Sequence, residues 1–359
     1  MELRKGVNLA PYTTLKIGGL ARYFCEAKSI NDLIEALTFS ETEKIPVTII
    51  GGGSNILIDD NGIDGLVIKV LIKGISYEEK ETETLISVGA GVGWDDFVLD
   101  TVNKGYRGLE NLSGIPGLVG ASPIQNINAY GTTVGDYIKE VVTVDKRTKR
   151  EKIFSRDNCL FAYRDSYFKT EEGKNFFITK VVFSLSKNKL LRIDYLSSSQ
   201  SIKMELERQG IKDPGGMDIR EAVLNIRRNI GMLEGQYQSA GSFFKNVILE
   251  AEHFFALEKI VAEKFKEKSD KLSPWHWRNQ DGNEKVSAAF LIECTPYNKV
   301  DFSNKLFNST VSVSPLHSLS VINKGGAKSN DVKEFADLII KTVRDNFGVN
   351  LEPEVCFLG

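Results

Sequence analysis

Residues 49–58 read IIGGGSNILI, and the way this stretch folds separates two architectures for a nucleotide-binding protein. An apolar run ending in glycines is half of a dinucleotide fingerprint. In a doubly wound parallel sheet, however, a helix must start directly after the glycines so that a phosphate meets the helix N-terminus. Here the glycines lead into NILIDD, a second strand-like run,. Gly51, Gly52 and Gly53 therefore predict a tight turn between two strands. Its successive backbone N–H groups can form a concave nest for an anion, with Ser54 and Asn55 adding side-chain donors,. An ordinary glycine-rich hairpin satisfies the same residues, so this stretch alone leaves both readings open.

A second glycine-rich segment, GLENLSGIPGLVGASPIQNINAYG at 108–131, bears on that choice. It carries two prolines, the small residues Ala121 and Ser122 and the amides Gln125, Asn126 and Asn128, with few charges. Long irregular loops in compact chains are usually functional. Glycines let backbone approach a ligand closely, and amides hydrogen-bond a flat polar heterocycle without adding charge. A structural omega loop is the competing reading. Two such loops in one half of a chain point to a large phosphate-bearing cofactor.

Outward from these loops the first half alternates strands and helices in mixed order. SINDLIEALTFS at 29–40 predicts a helix capped by Ser29, with Asp32 three residues later and Ile30, Leu33, Ile34 and Leu37 on one face,. IPVTII, DGLVIKV and TLISVGAGV are further strand candidates, and WDDFVLDTVNKGY at 94–106 predicts a helix closed at Gly105,. Beyond about residue 186 the pattern changes. MDIREAVLNIRRNIGM at 217–232 is amphipathic, with Ile219, Ala222, Val223, Ile226 and Ile230 on its apolar face,. SNDVKEFADLIIKTVRDNFG at 329–348 repeats that periodicity, with Ser329 as cap and Val332, Phe335, Ala336, Ile339 and Val343 inward,. The polar, serine-rich stretch 186–200 marks the boundary between the two halves.

Composition excludes several function classes. The 46 basic residues against 48 acidic ones leave no cationic excess to draw the chain to nucleic acid or to an anionic membrane,. The start of the chain has no apolar leader, and no apolar run long enough to span a bilayer occurs, so a cytoplasmic protein with a small-molecule partner is expected,. Cys25, Cys159, Cys294 and Cys356 are widely spaced with no CxxC pair, which predicts free, mostly buried thiols and no metal site,.

The motifs TTLKIGG (13–19), GGGSN, GLENLSGIPG, PIQNINAYG, YRDSYFK (163–169), SAGSFFKN (239–246), KVSAAFLIE (285–293) and LEPEV (351–355) occur in one order along nearly the whole chain. Together they resemble the UDP-N-acetylenolpyruvoylglucosamine reductase family. The resemblance implies an α+β fold. Residues 1–188 would be an FAD-binding domain of the PCMH or vanillyl-alcohol-oxidase type with two subdomains, about 1–70 and 71–188. Residues 200–345 would form an α+β substrate-binding domain, and 346–359 a strand returning to the active site. It also implies that NADPH reduces the flavin, and that the flavin passes hydride to the enolpyruvyl double bond of a UDP-sugar, in a monomer. Cofactor contacts carried over by the resemblance are Gly51, Gly52, Gly53, Ser54, Asn55, Ser113, Gly114, Ile115, Pro116, Gly117, Gly120, Ala121, Ser122, Gln125, Asn126 and Gly131.

The implied chemistry explains a serine with no histidine to activate it. Hydride arriving at the terminal carbon of an enolpyruvyl ether leaves negative charge on the neighbouring carbon and its carboxylate, and such a carbanion takes a proton even from an alcohol. On the resemblance Ser242 is that proton donor, while Arg164 and Glu354 act at the substrate carboxylate. The planar fork of an arginine pairs with a carboxylate through two hydrogen bonds. Glu354 must be protonated or shielded by a cation, since a bare carboxylate would repel the developing charge. From the residues alone, Arg164 reads equally as a salt-bridge arginine and Ser242 as a loop serine. Tyr195, Arg227, Asn246 and His317 carry over as substrate contacts, with a packed tyrosine and a turn-forming asparagine as rivals at the first and third,. His276, between two tryptophans, reads better as packing. The chain departs from the family where Ile230 replaces a phosphate-contacting lysine, where FKN is followed by Val247, and where Cys356 follows PEV. These departures keep open a divergent paralogue acting on another substrate, or a nucleotide-sugar binder without turnover.

Overall fold

The computed structural model describes residues 1–195, 201–279 and 281–359; part of the boundary expected at 186–200 lies outside the described residues. The strand leading into the glycine turn, Val47–Ile50, is at one edge of a four-stranded sheet. The order across that sheet is Leu3–Asn8, Leu20–Ala27, Ile63–Val70, Val47–Ile50. Ile63–Val70 runs parallel to both its neighbours, and Leu3–Asn8 runs antiparallel to Leu20–Ala27. Helix Ile30–Glu43 covers one face of this sheet. Ser29 and Asp32 close a reciprocal capping box at its start, which satisfies two otherwise orphaned N–H groups,. Leu33, Ala36 and Leu37 then bury against Cys25, Ala27, Leu66 and Ile68.

The strand after the glycines, Ile56–Ile58, does not return along Val47–Ile50, so the hairpin reading fails. It pairs in parallel with Cys356–Leu358 at the far end of the chain. A one-sided hydrophobic pattern does not name a strand's partner, and here the partner comes from about 300 residues away.

A second, wholly antiparallel sheet has the order Glu151–Ser155, Ile138–Asp145, Phe176–Leu185, Thr84–Gly89, Ile75–Glu79. Helix Trp94–Asn103 buries Trp94, Phe97, Val98 and Val102 in one cluster with Ile86, Val88, Val181 and Phe183. Phe97 and Phe183 lie with ring centroids 4.8 Å apart, and the Trp94 indole N–H donates to the Leu112 carbonyl at 2.9 Å, so the buried polar edge of the ring is satisfied,.

The rest of the chain contributes two three-stranded sheets, Gln238–Ser239 with Val321–Asn323 and Val311–Val313, and Val247–Leu249 with Glu284–Val286 and His276–Arg278. One core joins them, holding Phe243 and Phe244 with Leu15, Leu57, Phe335 and Ile339. The helix Ser329–Phe347 buries Val332, Phe335, Ala336, Ile339 and Val343, as its spacing predicts. Its cap is Lys328 rather than Ser329. Ser329 instead donates from its backbone N–H and its hydroxyl to the Asp60 carboxylate, at 2.7 and 2.8 Å, fastening the helix to the turn at 59–62. Helix Gly216–Asn229 buries Ile219, Ala222, Val223 and Ile226. Ile230 lies past its last turn, half-buried, so it does not extend that face. All four cysteines are free: Cys25 and Cys159 are buried, Cys294 is intermediate and Cys356 is exposed. Among the described residues no helix is long and apolar enough to cross a membrane.

Candidate active site

The two glycine segments pack directly on each other. A Cβ placed on Gly52 would meet the Gly117 Cα at 2.8 Å, closer than carbon atoms tolerate, and one on Gly53 would overlap the Tyr12 carbonyl oxygen at 1.9 Å,. Gly53, Gly114 and Gly117 have φ of +71°, +70° and +119°, backbone that side chains rarely adopt,. The Ser54 hydroxyl donates to the Pro116 carbonyl at 3.1 Å, and the Trp94 N–H donates to the Gly117 carbonyl at 3.0 Å. Gly120 sits where a Cβ would be 2.6 Å from that of Ala90. The result is a backbone-lined cradle that any bulkier residue would fill. Its residue types, glycine turns beside small side chains, fit a dinucleotide cofactor approached closely by backbone,.

Not every amide and hydroxyl in these segments faces a ligand. Asn126, buried and at φ +45°, donates from Nδ2 to the Ala162 carbonyl at 2.9 Å and accepts at Oδ1 from the Gly135 N–H at 3.0 Å. Its side chain thus secures the loop. The hydroxyls of Ser113 and Ser122 donate to the carbonyls of Glu110 and Val119. Ala121 is exposed beside Gly51, and Ile115 packs against the core of the second sheet. Tyr195 lies against Gly131, where a Cβ would be 3.2 Å from its ring, and packs with Tyr130, Ile202 and Ile226.

Asn55 joins three parts of the site. Its Nδ2 donates to Gln125 Oε1 at 2.7 Å and to the Glu354 carbonyl at 3.1 Å, and its own carbonyl accepts from the Cys356 N–H at 3.0 Å. The C-terminal segment in turn lies along SAGSFFKN. The Glu354 N–H donates to the Phe243 carbonyl at 2.8 Å, the Lys245 N–H to the Glu352 carbonyl at 2.9 Å, and the Phe243 N–H to the Leu319 carbonyl at 2.9 Å. Gly241, at φ +73°, turns the chain into this ladder. Ser242 follows it half-buried, its hydroxyl without a hydrogen-bond partner among the described residues.

Arg164 and Glu354 meet. Arg164 Nε is 3.1 Å from Glu354 Oε2, yet the N–H is not directed at the oxygen and remains a buried donor without an aligned acceptor. Arg164 itself has φ +53°, in a tight turn where Ala162 pairs with Asp165, and its carbonyl accepts from Lys169 Nζ at 3.0 Å. Burial pushes the Glu354 carboxyl above the usual glutamate range, against the opposing pull of Arg164,. An arginine with an unspent donor beside a carboxyl that favours its proton is a pair able to accept a second, anionic carboxylate.

The remaining substrate candidates are partly occupied by the protein. Arg227 donates from Nε to the Gly114 carbonyl at 3.0 Å and from one terminal nitrogen to the Met232 carbonyl at 2.8 Å. Asn246 Oδ1 accepts from the Ala288 N–H at 3.1 Å at the start of helix Ala288–Glu293, so it acts as a local anchor. The Nδ1 of His317 accepts from the Leu319 N–H at 3.1 Å, and burial pushes its pKa down to about 4. His276 pairs with Glu284 at 3.0 Å and packs on Phe254 and Trp275, as the packing reading expects.

Three groups that the sequence did not single out belong to this neighbourhood. The Tyr163 hydroxyl accepts from the Asn246 N–H at 3.3 Å. Lys285, whose pKa is lowered by burial and then by Arg164, holds its ammonium 5.7 Å from the Tyr163 ring and 5.3 Å from that of Trp277. Asp95 accepts from the Gly114 N–H at 2.6 Å. Lys285 and Tyr163 each stand inside a recognisable motif; the acid pair in WDDF carried no comparable signal.

Two families match in succession: an FAD binding domain over residues 21–152, and the C-terminal domain of UDP-N-acetylenolpyruvoylglucosamine reductase over 234–358. The chain is 37% identical to a UDP-N-acetylenolpyruvoylglucosamine reductase of Thermobifida fusca, covering 99% of this chain and 98% of that one. It is 35% identical to one of Cutibacterium acnes, covering 98% of this chain and 89% of that one. A crystal structure of the reductase from Thermus caldophilus superposes with a TM-score of 0.64 over 100% of both chains at 21% identity, a likeness of fold.

Proposed function

The chain belongs to the UDP-N-acetylenolpyruvoylglucosamine reductase family, and on that premise we propose how its own residues carry out the reduction. It is an FAD-dependent oxidoreductase of peptidoglycan precursor synthesis, and its substrate is the enolpyruvyl ether of a UDP-sugar. Bound FAD supplies the hydride. The cradle formed by Gly51–Asn55 and Gly114–Ser122 holds that cofactor, the turn at 51–55 through its backbone N–H groups and the second segment through the close backbone approach its glycines allow, with Gln125 positioned by Asn55,. Residues 1–188 form the cofactor half, in two subdomains of about 1–70 and 71–188. Residues 200–345 form the substrate half, and 346–359 bring Glu354 back to the cradle.

Arg164 binds the substrate carboxylate through its unspent donors, and Glu354, whose carboxyl burial shifts toward its protonated form, stands beside Arg164 to act on the same group as charge builds on it,. Both interactions strengthen as the enolate develops, which is the condition for lowering the barrier rather than only binding the substrate. Ser242 then gives its proton to the carbon next to the carboxylate. Lys169 holds the Arg164 turn, and Lys285, its ammonium over the Tyr163 and Trp277 rings, stands on that side of the site. The same reading makes NADPH the reductant and the enzyme a cytoplasmic monomer.

The observation that carries the proposal is the Arg164–Glu354 pair, with its buried, unsatisfied N–H, held by the backbone ladder between SAGSFFKN and LEPEV. The test is single-turnover reoxidation of the NADPH-reduced protein by the enolpyruvyl sugar nucleotide, run beside the corresponding saturated lactyl ether and a sugar nucleotide without the enolpyruvyl group. Reoxidation by the enolpyruvyl compound alone is expected. Equal indifference to all three would sink the assignment.

A further inference from the structure

Gly114 opens the second glycine loop, and both polar groups of this residue are gripped by side chains. Its N–H donates to Asp95 Oδ1 at 2.6 Å, and its carbonyl accepts from Arg227 Nε at 3.0 Å. Asp95 is itself held by a two-pronged pair with Arg220, at 2.6 and 2.7 Å, the geometry in which guanidinium and carboxylate are most rigidly matched,. The Arg220 side chain is only 7% exposed. Arg220 and Arg227 stand seven residues apart on helix Gly216–Asn229, which places them on one face two turns apart,. That face also packs on Gly114, where a Cβ would come within 2.8 Å of Leu224 and 3.2 Å of the Arg227 stem. Asp95 lies in the first turn of helix Trp94–Asn103, where a negative charge also suits the helix dipole,.

The other ties on this loop come from the cofactor half of the chain: Ser54 to the Pro116 carbonyl and Trp94 to the Gly117 carbonyl. Among the described residues, the hydrogen bond of Arg227 to the Gly114 carbonyl and the pair of Arg220 with Asp95 reach this loop from the helix that follows the polar boundary. Two guanidiniums against one carboxylate also leave a net positive charge beside the loop.

We propose that Asp95, Arg220 and Arg227 form a positioning clamp that fixes the Gly114 peptide groups, and with them the conformation in which loop 114–122 receives the anionic part of FAD. This rests on the reading of the two glycine loops as the FAD cradle. Gly114 at φ +70° is free to swing in a loop without the clamp, and an unfixed loop must be ordered when the cofactor binds, at a cost to affinity,. The clamp moves that ordering into folding. Asp95 and Arg220 are positioning residues in this scheme, acting on FAD only through Gly114.

The experiment is titration of FAD into stripped Asp95→Asn, Arg220→Met and Arg220→Lys proteins. It is followed by quenching of flavin fluorescence, with melting of each apo-protein and the visible flavin band of each complex recorded alongside. Asp95→Asn and Arg220→Met should each weaken FAD by about tenfold or more, the scale of losing one charge-assisted hydrogen bond, and shift the flavin band. Arg220→Lys keeps the charge without the fork and should recover part of the affinity. The double variant Asp95→Asn/Arg220→Met leaves no unpaired buried charge, so it folds where a single variant fails, and it should match the weaker single variant instead of adding to it. Unchanged FAD affinity, within about threefold, in both single variants or in the double variant would overturn the clamp, whatever their melting temperatures. Gly52→Val and Gly117→Val serve as the control on the premise. If these two keep parental affinity, the cradle reading itself fails; if they lose it while the clamp variants do not, only the clamp is wrong.

Discussion

Gly52→Ala tests the cradle with one added carbon. Gly52 is not at positive φ, so alanine brings no backbone penalty, and the whole effect comes from where its Cβ lands. That point is 2.8 Å from the Gly117 Cα and 3.3 Å from the Gly117 carbonyl carbon. Carbon atoms settle at about 3.5–4.0 Å, so the two loops must part by roughly 0.7 Å. Both obstructing atoms are backbone, which cannot rotate away as a flexible side chain would. Overpacking of this kind costs about 1–3 kcal/mol, and each 1.4 kcal/mol is a factor of ten, so FAD affinity should fall roughly 5–150-fold. The glycine turn lies outside both large sheets, so the apo-protein should keep its fold. Titration of stripped protein with FAD, followed by flavin fluorescence, reads the affinity directly. Gly51→Ala is the matched comparison: its Cβ meets Ala121 at 3.8 Å and Leu118 at 3.9 Å, ordinary contact distances, and should leave affinity nearly unchanged. Parental affinity in Gly52→Ala would mean that the close approach of the two loops has nothing to do with holding the cofactor.

The remaining predictions concern the reacting end. Ser242→Ala should keep FAD and its reduction by NADPH but slow product formation in the second half-reaction by roughly 10²–10⁴-fold, the scale of a positioned acid, with Ser242→Cys recovering part of the loss; a rate within about threefold of parent assigns the proton to another group. Arg164→Met and Glu354→Gln should each remove roughly 3–4 kcal/mol of transition-state stabilisation, seen as slower reoxidation by substrate with normal reduction by NADPH. Equal slowing of both half-reactions would make the pair structural. Glu354 also predicts a pH trend. Burial raises its folded pKa above the unfolded value of about 4.5, so the stability tied to its protonated form is complete below that value and is lost as pH rises through the folded pKa,. Glu354→Gln lacks this loss, so urea melts over a pH series should show the variant gaining on the parent as pH rises. A constant difference would contradict the assigned shift.

Local patterns were legible because each is settled within a few residues. Ser29 with Asp32 specified a capping box, and the spacing of Val332, Phe335, Ala336, Ile339 and Val343 specified the buried stripe of the last long helix. Where the outcome depended on a distant partner, the same reasoning failed by one step. Ser329 is a good capping residue, but Asp60, 269 positions earlier, competes for its hydroxyl and N–H and takes both. Ile230 continues an apolar period, but the helix stops at Asn229, and periodicity has no term for where a backbone ladder ends. Asn126 and Arg227 have the chemistry of ligand contacts and stand in the right segments. The structure turns the Asn126 amide toward Gly135 and Ala162, and gives two donors of Arg227 to carbonyls of its own chain. Residue type signals a hydrogen-bonding capacity; only the fold decides whether protein or ligand uses it.

The same limit explains why the strand at 56–58 could be located but not paired, and its pairing bears on function. Asn55 touches Gln125 of the second loop and the Glu354 carbonyl, while the next residues form a parallel ladder with Cys356–Leu358. The turn that carries cofactor candidates and the strand that carries Glu354 are therefore one hydrogen-bonded unit. Glu354 in turn shares a backbone ladder with Phe243, the residue after Ser242. A displacement of the glycine turn is passed on through peptide hydrogen bonds, which are short and directional, rather than through flexible side chains. The placement of an acid and a proton donor relative to a cofactor thus depends on chain segments near residues 55, 125, 243 and 354 meeting, and no local pattern in any of the four encodes that meeting.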